Sequence, residues 1–308
     1  VNKEKKIGIS VGLLLLGIIV AVYSLADLDK NTLENEMITP SNSEFTEPIT
    51  ERSESKLETV PKGETVDLTA DKLFFNFEGV EGENYVMLED GRPNWISPIL
   101  TLKEEHQEFF DEIMLTDIDQ KTAFIIPDFT YSAYENPGFY NYYKNQCNEK
   151  CLTTQIESGC ISEASCTGTQ ALNLLGYHPL SDVEVDQNPE ILKQYDRIIV
   201  LHNEYVTQKE FDALNNHPKV IYLYPNALYG KVSVDYEENT ITLIRGHGYP
   251  ESNIINGFDW EYENTPFEFD KACNEWDFYE IDNGYMLNCY PEVLFLHDKT
   301  FLSMIKDL

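Results

Sequence analysis

His202 and Glu204 stand two residues apart in the segment HNEY, directly after the strand-like run RIIVL. An imidazole and a carboxylate in reach of one another can ligate a transition metal or pass a proton. A histidine that follows a strand also serves as an ordinary hydrogen-bonding loop residue, so its neighbours must decide. Side chains of related chemistry follow other apolar runs. Asp128 follows AFIIP, with Tyr131 and Tyr134 three and six residues later, and Asn226 follows VIYLYP. His247 lies between Gly246 and Gly248, where glycine permits close backbone approach. The candidate catalytic residues are therefore His202, Glu204, Asp128 and His247. The candidate ligand-binding residues are Tyr131, Tyr134, Tyr205 and Asn226. No His-Glu-x-x-His spacing of the zinc type occurs among the 6 histidines.

The segment TYSAYENPGFYNYYKN concentrates Tyr131, Tyr134, Tyr140, Tyr142 and Tyr143. Such rings ordinarily pack over a core. They can also form a lip for a sugar, peptide or amine, or supply phenolate ligands to ferric iron. The cysteines are Cys147, Cys151, Cys160, Cys166, Cys273 and Cys289. An even number in an oxidising compartment predicts disulfides, with Cys273–Cys289 bridging the last hairpin and the other four pairing among themselves. Zinc is the alternative, although Cys-x-x-Cys is missing. None of the six sits on the strand-to-helix elbow that a thiol nucleophile uses.

These residues need a scaffold that brings strand ends together. Residues 123–129, 151–156, 197–201 and 220–224 read as strands, and 183–185 as a short one. Helices fit 165–175, stopped by Gly176, then 189–195 with Pro189 at its start, and 207–217. The last opens on Thr207 with Glu210 three residues later, a capping-box pattern. Alternating strands and helices predict a doubly wound, flavodoxin- or amidotransferase-like parallel sheet, whose ligands bind at the strand carboxyl ends. KVSVDY-EEN-TITLIRG and WDFYEI-DNG-YMLNCY read as a C-terminal β-hairpin extension, and a helix closes the chain.

Upstream, residues 7–26 carry no charge and are long enough to span a bilayer. Lysines precede them and aspartates follow, so residues 1–6 are expected in the cytoplasm and the remainder outside. A cleaved signal peptide is the rival reading, with the same destination. Residues 27–68 are rich in Glu, Ser, Thr and Pro and read as a disordered acidic stalk. Residues 69–120 read as a β-rich lead-in to an α/β domain at 121–308. The formal net charge is -32, from 22 basic and 54 acidic side chains. That charge repels phosphate backbones and argues against nucleic-acid binding.

The segment Leu201-His202-Asn203-Glu204-Tyr205-Val206, between a strand and a helix, resembles the class I glutamine-amidotransferase-like superfamily. More narrowly it is similar to the C-terminal domain of the N,N-dimethylformamidase large subunit, which has a Gly-His-x-Glu-Tyr-Trp-like segment there. Ser132-Ala133-Tyr134-Glu135-Asn136 is similar to that family's Tyr-Asn segment. The leading Gly and the Trp are missing here. The resemblance covers roughly residues 121–230 and implies mononuclear iron held by tyrosine and glutamate, at Glu204 with Tyr131 or Tyr134. The Cys elbow of true glutamine amidotransferases is absent, so glutaminase chemistry is not implied.

Two functions follow. One is a membrane-tethered surface module that binds a small ligand or an envelope protein. The alternative is a metal-dependent amide hydrolase using iron or zinc. They differ in whether His202, Glu204 and the Tyr131 loop must converge.

Overall fold

The structure, a computed structural model, describes residues 72–308 apart from 89–90, 117–118, 162–163, 263–266 and 268–269. The expected cytoplasmic tip, membrane anchor and stalk lie outside the described residues. Among the described residues no helix is long and apolar enough to cross a membrane.

The lead-in holds β1 (Phe75–Glu78), β2 (Tyr85–Met87), β3 (Pro93–Trp95) and β4 (Ile99–Leu102), paired antiparallel as β1 with β4 and β2 with β3. Then come α1 (Gln107–Ile113), β5 (Thr122–Ile126), α2 (Asp128–Tyr134), α3 (Phe139–Tyr143) and β6 (Thr153–Gln155). They are followed by α4 (Cys166–Leu174), β7 (His178–Ser181), α5 (Asp182–Gln187), β8 (Arg197–Val200) and β9 (Tyr205–Val206). Next are α6 (Gln208–Asn215), β10 (Val220–Tyr222), β11 (Gly230–Asp235) and β12 (Thr240–Arg245). The chain closes with β13 (Phe278–Ile281), β14 (Gly284–Leu287), α7 (Glu292–His297) and α8 (Lys299–Asp307).

The principal sheet has the order β13-β14-β10-β8-β5-β7. Its members are parallel except β13, which is antiparallel to β14. Alternation along fully buried strands feeds two cores. Phe124, Ile199 and Ile221 face Phe110, Leu172, Phe295 and Phe301. Ala123, Ile125, Ile198, Val200 and Tyr222 face Val185, Phe211 and Leu214. Helices thus cover both faces, as a parallel sheet requires. Phe75 and Leu100 of the lead-in join the first core.

Three expectations are corrected. Residues 183–185 lie in α5, because Ser181 accepts from Glu184 N–H at 3.1 Å and the Glu184 carboxylate accepts from Ser181 N–H at 2.9 Å. This capping box outweighs the β-propensity of two valines. The strand is β7, just before it. Residues 153–155 do not enter the parallel sheet. They form the edge of a second sheet, β6-β12-β11-β9. The hairpins are also not one extension: β11–β12 belongs to that second sheet, whereas β13–β14 widens the principal one. Gly284 makes the widening possible, since a Cβ there would lie 1.8 Å from the Val220 carbonyl oxygen. The disulfides pair as Cys147–Cys151, Cys160–Cys166 and Cys273–Cys289. All six cysteines are thereby used, which leaves no thiolate for zinc.

Candidate functional site

In the parallel part of the sheet, β7-β5-β8-β10-β14 runs 2-1-3-4-5 in chain order. The first and third of these strands, β5 and β8, lie side by side where the winding reverses, and their carboxyl ends form the crevice where ligands of such sheets bind. β5 leads through Pro127 into α2, which ends on Tyr134. β8 leads into Leu201-His202-Asn203-Glu204. Tyr205 N–H donates to Thr130 Oγ1 at 3.0 Å, which ties this loop to α2. The Glu204 carbonyl accepts from Tyr229 and Gly230 N–H, both at 2.8 Å. Gly230 allows the close approach, because a Cβ there would stand 2.5 Å from the Tyr205 ring.

The loop is held rigidly, and the Glu204 carboxylate it presents is fully buried. Tyr134 Oη donates to Glu204 Oε2 at 2.8 Å. Tyr140 Oη, from α3, lies 2.8 Å from Tyr134 Oη, 3.3 Å from Glu204 Oε1 and 3.5 Å from Oε2. His202 Nε2 is 3.6 Å from Glu204 Oε2, and His247 Nδ1 is 3.5 Å from Oε1. Aromatic rings enclose the group: Tyr143 and Tyr229 stand against His247, and Tyr224 and Tyr290 against His202.

Burial sets the protonation of these groups. It pushes His202 down to about 3 and His247 down to about 4, so both imidazoles are neutral at pH 7. The contacts to Glu204 are therefore not ion pairs. Burial and then the Glu204 charge raise Tyr134 and Tyr140 well above the usual phenol range. With no cation beside them, both phenols stay protonated and serve the carboxylate as donors, which offsets part of the cost of burying it; a bound cation would displace those protons.

His247 adopts φ +53, flanked by Gly246 at +106 and Gly248 at +76. A left-handed histidine is uncommon, and the neighbouring glycines make room for this turn of the backbone. The His247 side chain is 22% exposed and Tyr134 is 36% exposed, so solvent reaches one side of the cluster.

Of the eight candidate catalytic and ligand-binding residues, Glu204, His202, His247 and Tyr134 come together. Asn226 and Tyr205 form the surrounding wall. Asn226 accepts from Tyr290 Oη at 2.9 Å beside His202, and Tyr205 packs edge-on to Phe139. Asp128 and Tyr131 are brought elsewhere. Asp128 Oδ1 accepts from Gly159 N–H at 3.1 Å, and its carboxyl is pushed up to about 6 by burial. The Tyr131 ring lies against Gly159, with its hydroxyl toward Glu135. Both fasten the loop before Cys160 rather than facing Glu204. Tyr140 takes the place expected of Tyr131. Its spacing from Tyr134 follows no helical period, because a break at 135–138 separates α2 from α3.

Two observations bear on a bound metal. Among the described residues, no three His, Cys, Asp or Glu side chains form a set that could hold one. Zinc, which favours nitrogen and sulfur donors, is a poor fit. The oxygens of Tyr134, Tyr140 and Glu204 behave differently. Their separations of 2.8–3.5 Å are close to the edges of a coordination shell with metal–oxygen bonds of about 2.0–2.2 Å. Both His202 ring nitrogens are buried without a hydrogen bond of good geometry, a cost that a further bound group would relieve. The donor set thus fits a hard cation such as ferric iron.

No protein-family model matches the chain, and no curated protein matches it.

Proposed function

We propose that the centre at Glu204 is a mononuclear ferric site of a metal-dependent amide hydrolase. The observation that carries this reading is the convergence of Tyr134, Tyr140 and Glu204 oxygens beside two neutral imidazoles. Their arrangement accords with the resemblance to the dimethylformamidase large subunit, with Tyr140 in place of Tyr131. Tyr134, Tyr140 and Glu204 would hold the ion. When bound, it would supply Lewis acidity that polarises a carbonyl and acidifies water.

The chain's own groups do the remainder. His247, neutral and at the solvent edge, takes a proton from the attacking water and returns it to the leaving nitrogen. The water oxygen bonds to the amide carbon as the C–N bond breaks, giving acid and amine. His202 lies behind Glu204, with Asn226 beside it and the Tyr224 and Tyr290 rings packed against it. The enclosing tyrosines limit water near the reacting atoms.

The three disulfides accord with an oxidising compartment. We extend this to a domain tethered outside the membrane by residues 7–26. Metal analysis of the full chain by mass spectrometry tests the reading. About one iron per chain, lost in Glu204→Ala, is expected. A chain that binds no metal would instead favour a tethered binding module.

A further inference from the structure

Behind Glu204 lies a second group of acids that the proposed chemistry does not use. Asp182, at the start of α5, is fully buried. Its Oδ2 accepts from Phe129 N–H at 2.8 Å, in the first turn of α2. Its Oδ1 accepts from the side-chain amide of Asn203 at 2.6 Å. Asn203 sits between His202 and Glu204 and is itself fully buried. One carboxyl thus joins the helix that carries Tyr134 to the loop that carries Glu204.

The Glu210 carboxyl, on α6, faces Asp182 and is also fully buried. Among the described residues, no N–H or O–H donor reaches either Glu210 oxygen with good geometry. Two carboxyls at close quarters in a dry interior cannot both ionise. Thr207 N–H approaches the Glu210 carboxyl, and a proton held between the two acids supplies the donor that their facing oxygens otherwise lack.

We propose that Asp182 is a positioning residue for the Tyr134–Tyr140–Glu204 centre, and that a proton shared with Glu210 keeps it in place. The inference rests on the metal-site reading for what is positioned. The other titratable or charged groups facing the pair are Asp128 from α2, Asp186 from α5, and Tyr236 from the β11–β12 turn. Lys209 of α6 reaches Asp186 at 3.7 Å, and Tyr236 Oη donates to it at 2.7 Å. Burial pushes Asp182 up to about 7 and Glu210 well above its usual range. The folded pair therefore binds more protons than the unfolded chain above the ordinary carboxyl range. Its stabilising contribution is complete below that range and is lost as pH rises through about 7. Above it, two facing charges strain the Asn203 and Phe129 contacts.

The test is ferric-ion titration of the full chain, unaltered and as Asp182→Asn and Glu210→Gln, at mildly acidic and alkaline pH. Unfolding of the metal-free proteins is followed in parallel. Asp182→Asn keeps the volume but leaves one acceptor oxygen where two served. It is expected to stay folded and to lose about 10- to 100-fold in iron affinity, as substitutions behind metal ligands do. Glu210→Gln supplies a permanent amide donor. Its affinity relative to the unaltered chain is expected to rise with pH, and its alkaline loss of stability to flatten. Unchanged iron affinity in folded Asp182→Asn would overturn the positioning role. Parallel pH profiles for Glu210→Gln and the unaltered chain would overturn the shared proton. If the unaltered chain binds no iron, the metal reading falls and the positioning role with it, while the metal-free pH profiles still decide the shared proton.

Discussion

Tyr134 Oη donates to Glu204 Oε2 at 2.8 Å, across 70 residues of chain. It joins the helix after β5 to the loop after β8, so two neighbouring strand ends meet in one hydrogen bond. The carboxylate it serves has no exposure to water. Hydrogen bonds to charged groups contribute about 1.5–3 kcal/mol, more than neutral ones. Tyr134→Phe should therefore lower the stability of the metal-free protein by about 2 kcal/mol in denaturant unfolding. Tyr140→Phe, whose contacts to Glu204 are 3.3 and 3.5 Å, should cost less. The reverse order would mean that Tyr140 is the principal donor.

Acid should weaken the fold through His202. Its folded value is about 3, below the ordinary 6.5, so the unfolded chain takes the proton first. This contribution is present above about 6.5 and is lost as pH falls toward 3, with a slope of up to about 1.4 kcal/mol per pH unit. Asp182 and Glu210 act in the opposite direction over part of that window, so the comparison of interest is between variants. His202→Asn should flatten the acid limb measured by thermal unfolding. An unchanged limb would place the titrating group elsewhere.

Gly230 should tolerate no side chain. A Cβ would stand 2.5 Å from a Tyr205 ring that is fully buried and cannot swing away. Gly230→Ala should destabilise the protein by about 1–3 kcal/mol, as overpacking does. It should also weaken metal binding, since Gly230 N–H and Tyr205 both fix Glu204. A stable variant with intact metal binding would show that the loop has slack.

The Cys273–Cys289 bridge spans a sequence separation of 16 and restrains the unfolded chain more than the bridges spanning 4 and 6. Replacing both of its cysteines by serine should cost about 3 kcal/mol. Replacing Cys147 and Cys151 should cost less stability. Its effect should fall on metal affinity instead, because that bridge lies just after the helix bearing Tyr140 and Tyr143. Equal effects on both readouts would remove this distinction.

Much of this arrangement can be read from local pattern. The run IIV is uniformly apolar and, with Arg197 before it, becomes a strand buried on both faces. The following HNEY must then fall at a strand carboxyl end, which is why His202 and Glu204 stand out. Thr207 caps α6 as its spacing indicates, accepting from Glu210 N–H at 3.1 Å. The Glu210 side chain is drawn against Asp182, and its return contact to Thr207 N–H falls short of good hydrogen-bond geometry. Spacing alone could not reveal that competition. Nor could it separate Tyr131 from Tyr140. Both are tyrosines near an expected strand end, and the choice depends on how the chain turns at 135–138. Asp182 was hidden for a related reason. Beside two valines it resembles the polar edge of a strand, and its partners lie in two distant segments. The hairpins were visible as hairpins, but the sheet each joins depends on long-range pairing. For β14 that pairing needs the bare Cα of Gly284.

The ferric site is tested most directly by the visible absorption of the full chain loaded with ferric iron. Phenolate bound to ferric iron gives a charge-transfer band that carboxylate or imidazole ligation alone does not. Such a band is expected, reduced in Tyr134→Phe and in Tyr140→Phe, lost when both are replaced, and unchanged in Tyr131→Phe. An iron-loaded chain without the band, or one whose band depends on Tyr131 instead, would contradict the proposed site.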